Sequence, residues 1–177
     1  MSEHLTELHN QVSKVTPIHG ILGQQENGIP EVWYDGEPTP EQKAEVDELL
    51  RGWPLAEAQL DQKAELNENV QAIEARGYTT SKGFVIDLSS AGASDLTGAV
   101  VLAKEAVENG YEGDHYILDI EGITHAVTYE ELIQIGIEYG AARNALYIAA
   151  SQTTKLIEAA KTPEELEHLA LTAVKEA

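Results

Sequence analysis

The chain has no cysteine. That excludes disulfides, thiolate nucleophiles and cysteine-based zinc or iron sites, and leaves the redox compartment unread. Aromatic residues are few: Trp33, Trp53, Phe84 and seven tyrosines in 177 residues. Aliphatic side chains must therefore fill the core, and a hydrophobic fraction of 42% is enough to build one. Basic residues are scarce too, 11 Lys plus Arg against 31 Asp plus Glu, a formal net charge of −20. A surface this acidic repels phosphate backbones and anionic headgroups, so neither nucleic acid nor a membrane surface is an expected partner. Its ordinary role is solvation, with attraction of a basic protein as a second use. The longest apolar run, Ala145–Ala150, falls far short of the ~20 residues that span a bilayer. The N-terminal MSEHLTELHNQ has no cationic start and no apolar core, so no secretory signal is expected, and a soluble protein is.

What the chain does have is a helical stripe from Thr128 to about Ala160. Leu132, Ile135, Tyr139, Ala142, Leu146, Ala149, Thr153 and Leu156 recur at steps of three and four. A second row, Ile133, Gly136, Ile137, Gly140, Asn144 and Ile148, widens it. The helix should be about 45 Å long at the usual rise, with an apolar face that needs several neighbours to cover it. The pattern predicts a structural or assembly role.

Upstream, Leu5, Leu8, Val12 and Val15 stand at a/d spacing in a short amphipathic segment. It reads equally as an oligomerisation or docking arm and as a frayed terminus or edge strand. Pro17, Pro30, Pro38 and Pro40, with Gly20, Gly23, Gly28 and Gly36, then predict extended chain and turns over residues 16–40. One short strand is expected at Ile29–Tyr34. Trp33 and Tyr34 there are candidate anchors for another surface, or a cover for the main domain.

Thr39-Pro-Glu-Gln42 opens a helix that should stop at Gly52, before Trp53 and Pro54. A second helix is predicted from about Ala56 to Arg76, with Gly77 as its cap. Two small hairpins follow, Tyr78–Ser81 with Phe84–Leu88 and His115–Ile120 with Thr124–Tyr129. Between them lies a helix capped by Ser94 or Asp95. Thr128-Tyr-Glu-Glu131 opens the long helix. Thr162-Pro-Glu-Glu165 opens a last one carrying Leu166, Leu169 and Ala173. The predicted fold is α+β and mostly helical. An extended Pro/Gly-rich N-terminal arm (residues 1–55) leads into four helices and two small β-hairpins (residues 56–177). Order in such an arm would imply that it lies against another chain.

No chemistry stands out. His4 and His9 are five apart and miss the i,i+4 spacing of paired ligands. His115 and His125 would face each other across a hairpin, with Asp114 or Asp119 as further ligands, but paired surface residues are the simpler reading; His19 and His168 stand apart. Asp87, Asp95, Asp114, Asp119 and Glu121 lack the spacing of a calcium loop. Residues 89–94 lack the Gly-x-Ser-x-Gly elbow, and Gly20–Gly23 lacks the lysine of a phosphate loop. Gly136 and Gly140 suit close helix packing. No catalytic, cofactor or metal-binding residues are assigned; the interaction candidates are Leu5, Leu8, Val12, Val15, Trp33 and Tyr34.

The order of elements from about Leu60 to Leu169 resembles an uncharacterised domain family found in tail and tail-fibre proteins of tailed bacteriophages. The resemblance is carried by Glu74-Ala-Arg-Gly-Tyr78, Phe84-Val-Ile-Asp-Leu-Ser89, Leu96-Thr-Gly-Ala-Val100, Val127-Thr-Tyr-Glu-Glu-Leu132 and Ala160-Lys-Thr-Pro-Glu-Glu-Leu166. One departure is Tyr116, where members often have tryptophan. The resemblance implies a non-enzymatic structural component of the virion, a tail fibre, baseplate or tail-attached protein made in the host cytoplasm. Its expected partners are other virion proteins and copies of itself, with a homotrimer favoured. The alternative it leaves open is a tail-fibre assembly chaperone absent from the mature particle.

Overall fold

Reciprocal capping boxes start the two longest helices. Thr39 N donates to Gln42 Oε1 at 2.9 Å while Gln42 N donates to Thr39 Oγ1 at 3.2 Å. Thr128 and Glu131 exchange the same pair at 3.1 and 3.2 Å. Each exchange satisfies two N–H groups that a helix start would otherwise leave unpaired. In the computed structural model, which describes residues 3–22, 29–166 and 169, these helices are α2 (Pro40–Arg76) and α4 (Tyr129–Ala159). The other elements are α1 (Glu3–Val15), β1 (Ile18–Leu22), β2 (Glu31–Tyr34), β3 (Tyr78–Thr79), β4 (Val85–Ile86), α3 (Ser90–Glu108), β5 (Asp114–Leu118), β6 (Thr124–Thr128) and α5 (Pro163–Leu166). The described residues thus form a mostly helical α+β structure with five helices and three two-stranded antiparallel sheets.

Contacts divide the chain into two compact units. The first takes in Met1–Ala64 and Leu156–Leu169, the second Glu65–Lys155. Helices α2 and α4 contribute residues to both.

The first unit replaces the expected extended arm. Residues 3–15 are helical, and β1 pairs with β2, Ile21 opposite Val32. Leu8, Val12, Ile21, Val46 and Trp53 form one buried cluster, with Leu5, Val15, Val32 and Tyr34 packed against it. The prolines misled because three of the four stand where a missing N–H costs little. Pro17 and Pro30 immediately precede strands, and Pro40 is the first residue of α2. Gly23 and Gly28 lie outside the described residues. Gln42 Nε2 donates to Val15 O at 3.1 Å, and Asp35 N to Pro17 O at 3.1 Å, closing the segment onto α2.

The expected break at Gly52–Pro54 is absent, since α2 runs through it. Trp53 is 2% exposed in the cluster while Pro54 points to solvent. Emptying such a site by truncation to alanine costs about 3–5 kcal/mol, against about 3 for proline inside a helix. Packing wins.

The second unit is built around Phe84, Ile86, Leu88, Leu96, Ala103, Ile117, Val127, Leu132, Ile135 and Tyr139. Gly77 ends α2 at φ +78, and a Cβ there would meet Ile86 O at 2.6 Å. Only glycine permits β3–β4 to fold back at this point. The expected start of α3 at Ser94 or Asp95 is corrected to Ser90: Ser89 is the cap, its Oγ accepting from Gly92 N at 3.3 Å. Asp87 in turn accepts from Ser89 N at 2.8 Å. At the other end of the chain Lys161 N donates to Glu165 Oε2 at 2.8 Å, and α5 is a single turn with Leu166 buried. Ala173 lies outside the described residues.

Candidate interaction surface

The candidate residues of the N-terminal segment separate by exposure. Leu8 and Val12 are fully buried within their own unit, and Leu5 and Val15 are half-buried against them. Tyr34 is half-buried too, its hydroxyl pKa pushed up first by burial and then by the Asp47 carboxylate. Trp33, opposite Gly20 in the β1–β2 register, is 54% exposed. It is the member of the set whose ring is open to solvent.

The histidines do not converge. His115 is opposite Val127 and His125 opposite Ile117, so register separates them. His4 lies 3.6 Å from Asp61 and His19 3.3 Å from Asp35. His168 lies outside the described residues. No group of three or more His, Asp or Glu among the described residues has metal-binding geometry.

His125 instead completes a local network. Its ring stacks on Phe84, centroids 4.2 Å apart, and its Nε2 is 2.7 Å from Asp119 Oδ2. Asp119 Oδ1 accepts from Glu121 N at 2.9 Å and Ile123 N at 2.8 Å, which builds the β5–β6 turn. The His125 hydrogen bond, helped by these two N–H groups against the cost of burial, holds the Asp119 carboxyl below the usual range. The alternation of β5 and β6 hinted at the inward row, but the pairing of residues 119 and 125 depends on the turn.

A second network fastens α3 to α4. Tyr139 OH donates to Asp87 O at 3.0 Å, and Arg143 donates to Leu88 O and Ser90 Oγ, both at 3.2 Å. Arg143 also donates to Tyr147 OH at 3.0 Å, and that hydroxyl donates to Glu74. Burial raises the Tyr139 pKa, and the Glu74 hydrogen bond raises that of Tyr147. At the α3–α4 contact a Cβ on Gly136 would lie 2.5 Å from Val100 Cγ2. An open groove beside this contact is lined by Val100, Val101, Lys104, Gly140, Asn144 and Tyr147.

Apart from Tyr111 in the α3–β5 loop, 69% exposed, the main exposed apolar side chains of the second unit gather in two places. One is the outer face of the β5–β6 hairpin, Tyr116 and Leu118, with Ile120 and Ile123 at its tip. The other is the helical pair, with Val101 and Leu102 on α3 and Ile137 and Ile148 on α4. Of the first row of the α4 stripe, Leu132, Ile135, Tyr139, Leu146 and Thr153 are buried; in the second, Ile137, Gly140, Asn144 and Ile148 face solvent. Val101 and Leu102 escaped sequence reasoning because they lie off the apolar row Leu96, Ala99, Val100, Ala103 and Val107 of α3, and that departure was the available signal.

A match to the domain of unknown function DUF4376 covers residues 57–173. The chain belongs to this family. The matched span includes the α3–α4 pair, both small sheets of the second unit and the α4 stripe. No curated protein and no solved structure matches the chain. Within the DUF4376 domain the Arg76-Gly-Tyr78 step is explained by the positive φ and tight surroundings of Gly77. In the Leu96-Thr-Gly-Ala-Val100 segment, Val100 carries the close contact, whereas Gly98 has open space around its Cβ position.

Proposed function

We propose that this DUF4376 protein is a structural component of a tailed-bacteriophage virion, part of a tail fibre, baseplate or tail attachment, and acts through protein–protein contacts without catalysis. The reading draws its phage context from the ordered motifs between Leu60 and Leu169. The observation that carries its contact chemistry is the outward row of α4, where Ile137 and Ile148 stand exposed on a chain of net charge −20. An apolar row on so acidic a surface has a use when another protein covers it. The expected partners are other virion proteins and further copies of the chain.

Quantitative mass spectrometry of purified particles is the test. The protein is expected in the finished virion at a fixed copy number. Abundance in infected cells together with absence from particles would transfer the assignment to a tail-fibre assembly chaperone. Absence from every phage-producing host would remove the reading altogether.

A further inference from the structure

The outward row of α4 has an internal symmetry. Its uncharged members are Ile137, Gly140, Ala141, Asn144, Ala145 and Ile148, all exposed. Their numbers form three pairs of equal sum, 137 with 148, 140 with 145 and 141 with 144. One helical turn beyond, Gln134 pairs with Ser151 in the same way. Two turns beyond, the acidic Glu130 pairs with the basic Lys155.

In a twofold antiparallel helix pair, residue i of one copy meets residue j of the other when i + j is constant, and j meets i in return. Any helical row spaced by threes and fours satisfies that rule; what marks this one is the chemistry of its exposed matched positions, with half-buried Ile133 opposite Gln152 as the exception. Isoleucine meets isoleucine, small residues meet across the centre where the backbones approach, and acid meets base at both ends. At 1.5 Å per residue the isoleucines are about 16 Å apart along the helix and the outer charges about 38 Å apart.

We infer that α4 is a homodimerisation helix: two copies of this chain pair antiparallel through the Ile137–Ile148 stripe, closed at both ends by Glu130 of one copy against Lys155 of the other. Two further observations select a second copy over a foreign partner. Glu130 and Lys155 are exposed, and neither is in an ion pair with another described residue, so both are available. The arc between them carries no charge on a chain of net charge −20, which is what allows two equally acidic copies to touch. A basic foreign partner would be matched by acids in the stripe. The inference stands apart from the virion reading, since a particle component and an assembly factor would use the same contact.

The test uses the full chain. A single helix pair lies at the small end of specific interfaces, so dissociation on the order of 10–100 µM is expected by sedimentation equilibrium. Raising salt from ~0.02 to ~0.3 M should tighten the dimer by screening the repulsion between copies; weakening would contradict a contact between like-charged chains. Because the protein has no native cysteine, single thiols report geometry. Asn144→Cys should cross-link with itself under mild oxidation. Ile137→Cys should not, but should cross-link in a mixture with Ile148→Cys. Self-linking of the I137C chain would mean a parallel pair and overturn the proposal. Ile148→Asp should weaken dimerisation at least about tenfold with helical circular dichroism unchanged, because the site is exposed. Glu130→Lys should weaken it about threefold, with recovery in the double variant with Lys155→Glu. A monomer throughout the concentration range, or a trimer without a dimer, would refute the inference.

Discussion

His125 Nε2 lies 2.7 Å from Asp119 Oδ2, and the same imidazole stacks on Phe84 at 4.2 Å. One side chain thereby ties the β5–β6 turn to the segment that leads into β4. The Asp119 carboxyl is only 7% exposed and accepts two backbone N–H groups besides the histidine. Its pKa is lowered, so the folded state favours the carboxylate. Its stabilising contribution is complete above the ordinary carboxyl pKa of about 4 and is lost as pH falls through the lowered folded value. In that window the unfolded chain binds more protons than the folded one, so stability should rise with pH. Asp119→Asn should flatten this rise relative to the unsubstituted protein, read as Tm against pH between about 2.5 and 6. Parallel curves would remove Asp119 as a cause.

Gly136 allows α3 and α4 to approach at Val100. Gly136→Ala places a Cβ 2.5 Å from Val100 Cγ2, so the helices must separate or the valine must move. A loss of about 1–3 kcal/mol is expected in urea unfolding. Adding Val100→Ala should recover part of it, giving a double variant more stable than the sum of the two single changes implies. Strict additivity would show that the two positions do not meet.

Gly77→Ala tests the fold-back after α2. Its φ of +78 disfavours any side chain, and a Cβ would sit 2.6 Å from Ile86 O. The neighbouring atom is backbone and has no rotamer to yield. The expected cost is at least about 2 kcal/mol, whereas Gly98→Ala, with open space around it, should stabilise α3 by up to about 1 kcal/mol. Equal effects at the two glycines would contradict this account.

Trp53 and Pro54 should respond in opposite directions. Trp53→Ala empties the centre of the first unit and is expected to cost about 3–5 kcal/mol. Pro54→Ala, at a solvent-facing position inside α2, restores a backbone donor and should stabilise by about 1–2 kcal/mol after the loss of proline's restraint on the unfolded chain. Chemical denaturation of the two variants gives both numbers. A destabilised P54A protein would mean that the proline shapes α2 to seat Trp53.

The elements legible in the sequence are those whose instructions are local. Thr39 with Gln42 and Thr128 with Glu131 each place a hydroxyl and a long polar side chain three residues apart, and both helices begin there. The buried row of α4 followed from its period, apart from its end, where Ile157 is buried and Leu156 is exposed. The β5–β6 hairpin followed from alternation around Glu121–Gly122. The errors arose where distant residues decide. The strand expected at Ile29–Tyr34 is present as β2, but residues 16–22 read as extended chain and instead supply its partner β1. Gly52–Pro54 looked like a helix end until Trp53 found Leu8, Val12 and Val46 as neighbours.

The sequence by itself determined the helical character, the starts of the long helices, the acidic surface and the apolar stripe of α4, because propensity, capping and periodicity act over a few residues. Only the tertiary structure decided that residues 3–22 and 29–34 pack onto α2, that Asp119 meets His125, and which row of α4 faces solvent. Those outcomes depend on contacts between residues far apart in the chain, and burial of apolar area there overrides local preference.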